Sequence, residues 1–127
     1  MEGIEAWTAY FIDCRQEGNK FGIFCYFERN KSWRIKSKEN DYLLKHEQYH
    51  FNIAEVYARK LRKQMIVSDL KELNKEFNKN YKEMEKVQKA YDKETNHSKN
   101  PEEQGKWEIE IDRQLKDLSD FADPFIK

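Results

Sequence analysis

Hydrophobic and polar positions change their period once along this chain. Residues 4–13 and 21–28 are dense in aromatic and β-branched residues, and Gly18-Asn19 between them is a turn signal. This predicts an antiparallel hairpin, to which Trp33 and Ile35, alone in a polar connection from Arg29 to Asn40, add a short third strand. From Leu43 onward the period becomes helical. Leu43, Leu44, Phe51, Ile53, Ala54, Tyr57, Ala58 and Leu61 recur at steps of three and four, predicting a helix from an Asn40 or Asp41 cap to about Lys63. Ser68 reads as the N-cap of a second helix over 68–95, with Asp69 and Glu72 at its positive end. Leu70, Leu73, Phe77, Tyr81, Met84, Val87 and Tyr91 form its core stripe. After a loop at 95–99, Asn100-Pro101-Glu102-Glu103 combines an N-cap, a proline at the first position and a Glu at the third. That third helix carries Trp107, Ile111, Leu115 and Leu118 and ends near Phe121, before Pro124. The expected fold is α+β, a small N-terminal antiparallel sheet packed on three helices.

Composition narrows this to one domain spanning 1–127, because 127 residues with 38% hydrophobic content fill one core but not two. Charged residues also make up 38%, yet 24 basic side chains balance 24 acidic ones. No nucleic-acid partner is implied, since such proteins carry a net basic face. The lysine-rich stretches at 59–63 and 71–89 read as solvated helix faces. No window is long and apolar enough for a membrane span. The start, Met1 to Glu5, lacks a leader pattern, which leaves a cytoplasmic protein or the mature form of an exported one. Cys14 and Cys25 are out of register for a disulfide across the hairpin, so they read as free thiols. No base stands near them in sequence to make either a nucleophile.

The chemistry lies in Lys45-His46-Glu47-Gln48-Tyr49-His50, a His-Glu-x-x-His motif that uses two of the chain's three histidines. On a helix, residues four apart share one face, at a separation that lets His46 and His50 ligate one Zn2+ ion. Glu47, between them, is placed to act as general base toward a water on the metal's open side. Catalytic zinc expects a third protein ligand. His97, the remaining histidine, lies in the loop after the second helix. A straight helical hairpin instead sets Gln48 level with Glu83 and leaves His97 roughly 21 Å further along. Glu83 is thus the rival ligand.

The segment YLLKHEQYHFNIAEVYARKL (Tyr42 to Leu61), with Tyr91-Asp92-x-x-Thr95-x-His97, resembles a bacterial family of uncharacterised proteins described as predicted secreted zinc-dependent proteases. That family pairs a His-Glu-Gln-x-His-Phe/Tyr-Asp-Ile helix with a Tyr-Asp-x-x-Thr-x-His-Gly loop. The resemblance covers roughly residues 24–115. It implies His46, His50 and His97 as zinc ligands, Glu47 as base, and export to the periplasm or outside. Asn52 stands where the family has Asp, and Ser98 where it has Gly.

Two functions follow. In the first, a minimal zincin-like metallopeptidase hydrolyses peptide or protein substrates through a zinc-bound water, with Tyr91 as a candidate oxyanion donor. In the second, a zinc-binding structural or interaction domain is closed by a fourth ligand such as Glu83 or Glu94 and turns nothing over. A metal-free helical interaction domain is a third, simpler option.

Overall fold

The computed structural model describes residues 6–7, 10–27, 33–34, 41–67, 70–96 and 99–126. The order is β1 (Ala6–Trp7), β2 (Tyr10–Glu17), β3 (Lys20–Phe27), β4 (Trp33–Arg34), α1 (Asp41–Val67), α2 (Leu73–Glu94), α3 (Pro101–Asp117) and β5 (Phe125–Ile126). The architecture is α+β. β2 and β3 form the expected hairpin, with Glu17 opposite Lys20 and Gly18 at φ +65° in the turn, a left-handed conformation that glycine adopts without steric cost.

Register explains the cysteines. Ile12 faces Cys25 and Cys14 faces Ile23, so all four point to one side of the hairpin. On that side Ile12 and Ile23 are buried, and both thiols are free and pack against the core as small apolar groups. Burial, with the Glu55 charge beside it, pushes Cys25 up to about 12, and burial also raises Cys14. Neither thiol provides a thiolate nucleophile near neutral pH.

The third strand of the main sheet departs from expectation. β4 pairs instead with β1, Trp7 against Trp33, in a separate two-stranded ribbon. β3 is completed by β5, with Phe21 opposite Ile126 and Gly22 opposite Phe125. Two residues behind Pro124 are too short to show alternation, so the sequence pattern gave no warning of this strand.

α1 is the central element, in contact with β2, β3 and β5 and with both other helices. Ile53, Ala54, Val56, Tyr57, Ala58 and Leu61 are buried along it. It outruns the expected end at Lys63 because no Gly or Pro stops it and Met65 continues the buried face. A 3-10 turn, Leu70–Glu72, then precedes α2; Ser68 and Asp69, the expected cap, lie outside the described residues. α3 starts as read, with the Asn100 side chain accepting the backbone N–H of Glu103 and Pro101 in the first turn. No described helix is long and apolar enough to cross a membrane.

Arg62 ties these layers together. Its guanidinium is buried, donates to the carbonyl oxygens of Ile23 (2.8 Å) and Phe121 (2.8 Å), and pairs with Glu55 at 3.1 Å. Arg59 completes the cluster, bonding Glu55 at 2.7 Å and the Leu115 carbonyl at 2.6 Å. Removing Arg62 would leave Glu55 to Arg59 alone and take the donor from two carbonyls. Arg62→Ala should therefore cost about 2–5 kcal/mol in urea unfolding, roughly 1–3 for each carbonyl left without a donor. A loss below about 1 kcal/mol would show that the cluster does not hold sheet to helices.

Candidate metal centre

His46 and His50 sit one turn apart on the face of α1 that meets α2 and α3, and both are buried. Their rings are 5.0 Å apart and nearly perpendicular. Tyr91 of α2 lies between them, stacked on His46 at 4.5 Å and edge-on to His50 at 4.8 Å. Behind it Trp107 closes the aromatic wall at 5.5 Å.

The hydrogen bonds determine which ring nitrogens carry protons. His46 Nδ1 is 2.7 Å from Gln104 Oε1, and His50 Nδ1 is 2.6 Å from Gln88 Oε1. Gln88 Nε2 donates to the His50 carbonyl at 2.8 Å, which fixes its amide with the oxygen toward the ring. Gln104 Nε2 donates to Glu108 at 2.9 Å and to the Tyr91 hydroxyl at 2.8 Å, while that hydroxyl donates to the His46 carbonyl at 2.8 Å. Both amide oxygens are thus acceptors, and both imidazoles donate from Nδ1. Their Nε2 atoms converge on Asp92 Oδ1, at 2.9 Å from His46 and 2.7 Å from His50.

Neutral rings locked this way would aim two lone pairs at a carboxylate oxygen. A proton on each Nε2, or one cation in their midst, removes the clash. The charges agree with a proton at His50 when no metal is bound. Burial pushes the Asp92 carboxyl up, but the bonds from His46 and His50 outweigh it and hold Asp92 well below the usual carboxylate range. Burial alone would lower His50, yet Asp92, Glu47 and Gln88 together raise it. One donor atom each from His46, His50 and Asp92 lies within 4.8 Å of the others, a set that could bind a metal ion.

The structure brings together His46 and His50 as the sequence proposed. His97 and Ser98 lie outside the described residues. Glu47 is half-buried, and its charge reaches both His50 and Tyr91. Glu83 is exposed and acts on Tyr57 instead. The pairs His50–Gln88 and His46–Asp92 set the residue opposite Gln48 at about position 90, two turns past Glu83. The longer α1 and the 3-10 turn move the hairpin's pivot, which a straight-hairpin count could not anticipate. Glu94 is also exposed and stands outside the cluster. Tyr91 is fully buried with its hydroxyl committed to the His46 carbonyl, so it positions the rings and is no oxyanion donor in this arrangement. Asn52 bonds Gln48 at 2.9 Å on the exposed side, away from the imidazoles.

Asp92, Gln88 and Gln104 were missed as site residues. The glutamines carried a signal: a polar side chain on a buried helical stripe, Gln88 between Met84 and Tyr91, Gln104 one turn before Trp107. An open cavity of about 330 Å³ near the end of α2 is lined by Lys89, Asp92, Lys93 and Asn96, so it borders the Asp92 side of the cluster.

Residues 28–98 match the family described as "Bacterial protein of unknown function (DUF922)". The chain belongs to that family. The matched span includes the motif helix, all of α2 and the Tyr91–His97 segment, so the whole triad lies within the family's shared region. The family's description names no activity. Comparison with curated proteins and with solved structures returns no match.

Proposed function

We propose that residues 1–127 form a zincin-like metallopeptidase domain, with zinc held by His46, His50 and either Asp92 or His97. The observation that carries this reading is the convergence of two Nε2 atoms and a carboxylate oxygen on one point, with both Nδ1 atoms turned to buried amide oxygens. A structural ion pair needs no such double locking of tautomers, whereas metal-binding histidines characteristically donate their other N–H to a fixed acceptor. Zinc held by these residues would supply an acidified water and a polarised carbonyl. The Glu47 carboxylate takes the proton from the attacking water and passes it to the leaving amine. Tyr91 and the two glutamines keep the imidazoles aligned, and substrate enters through the cavity beside Asp92. The test is cleavage of a broad peptide library by protein loaded with zinc and by the same protein stripped with chelator. Zinc-dependent cleavage is expected; zinc-saturated protein that cleaves nothing would remove the hydrolase assignment.

A second reading has its own support in Asp92. Should Asp92 and His97 both ligate, four protein donors would fill a tetrahedral site and leave no position for water, as in structural zinc sites. The domain would then be metal-stabilised without turnover.

The locking amides give a prediction under either reading. Gln88→Ala and Gln104→Ala should each weaken zinc binding about 10–100-fold in a competition titration with a chromogenic chelator. Unchanged affinity in both variants would mean that the amides serve packing alone.

A further inference from the structure

All six lysines of α2, Lys75, Lys79, Lys82, Lys86, Lys89 and Lys93, fall at steps of three and four. At about 100° per residue they share an arc of roughly 80°, over roughly 27 Å of helix. No acidic residue of α2 lies within that arc. Glu76, Glu83 and Glu94 fall to one side of it, and Glu85 and Asp92 to the other. Every one of the six is exposed, and none has an ion-pair partner among the described residues. The row does not end anywhere on the surface at random: Lys89 and Lys93 line the cavity that opens on Asp92.

A charge-balanced chain that sorts the six lysines of one helix into a single file leading to its candidate metal centre has built a track. We infer that this track docks an acidic stretch of polypeptide in extended conformation, delivering the adjoining segment to the cavity. The inference rests on the metallopeptidase reading for what happens at the end of the track. Dimensions fit. Lysine rungs recur every ~5.4 Å on average, and same-side residues of an extended chain every ~6.6 Å, a mismatch that long lysine stems absorb. An anionic membrane fits worse, because a plane laid on this face would press Glu76, Glu83 and Glu94 against headgroups of like charge, and no apolar side chain interrupts the row to insert. A duplex nucleic acid would need a broader basic face.

The experiment uses zinc-loaded protein and a fluorescein-labelled peptide of alternating Glu and Ala, with the Gln-Ala peptide as control, read by anisotropy. Binding of the Glu peptide alone is expected, weakening as salt rises toward about 0.15 M. The triple variant Lys79→Gln, Lys82→Gln, Lys86→Gln should bind it roughly tenfold more weakly, the sum of three exposed pairs. Its zinc content and circular dichroism should match the parent, because none of the three lines the cavity. Equal binding by parent and variant, or no binding by zinc-loaded parent, overturns the docking proposal and leaves the metal site standing. Tighter binding of polyphosphate or of anionic vesicles than of the Glu peptide overturns the polypeptide assignment. Failure of the metallopeptidase reading shows separately, as a zinc-loaded parent protein that cleaves no peptide.

Discussion

Asp92→Ala is expected to reduce zinc affinity by more than the roughly 10–100-fold that loss of an outer hydrogen-bond partner costs. The carboxylate oxygen lies 2.7 and 2.9 Å from the two Nε2 atoms and carries the negative charge that offsets a cation in a buried place. Without it, an ion between two neutral imidazoles would be undercompensated and short of donors. The fold should survive, because Ile53, Leu61, Met65 and Met84 supply a core that does not depend on the cluster. Circular dichroism and urea unfolding would show this. His97→Ala, titrated beside it, separates the two readings of the site. A large loss for both variants means that both residues ligate and the centre is closed. A large loss for one alone leaves a position for water. Undiminished affinity in Asp92→Ala would reduce its contacts with the histidines to a feature of the metal-free state.

Glu47→Gln is expected to lower peptide cleavage about 10²–10⁴-fold while the protein keeps its zinc. The side chain is half-buried, next in sequence to His46 and close enough for its charge to be felt at His50, so an isosteric amide should disturb neither helix nor ligands. The amide cannot take a proton from water. Loss of cleavage with zinc retained assigns Glu47 as the base. Equal cleavage by parent and variant would place the base elsewhere or trace the activity to a contaminant. Loss of both zinc and cleavage would mean that Glu47 supports the metal and not the reaction.

Local sequence rules accounted for much of the fold. Gly18-Asn19 marked the hairpin, the Asn100-Pro101 start marked α3, and steps of three and four marked the buried faces of α1 and α2. What remained hidden depended on long-range register. β5 is two residues long, and its place beside β3 follows from where α3 ends, which no local pattern encodes. The same holds for the site. His46 and His50 stand out from spacing alone, whereas Asp92 joins them only because a prolonged α1 and a 3-10 turn shift the helical hairpin by two turns. Gln88 and Gln104 were visible as polar breaks in apolar stripes. Their role becomes readable only when the opposite helix supplies an Nδ1 for each.

The most direct measurement of the central claim is the X-ray absorption spectrum of the purified protein after zinc titration and removal of excess metal. One zinc per chain is predicted, with two imidazole nitrogens and at least one further light-atom donor at about 2.0–2.2 Å. Protein that emerges without zinc, or holds it with no imidazole in the first coordination sphere, would contradict a metal centre at His46, His50 and Asp92.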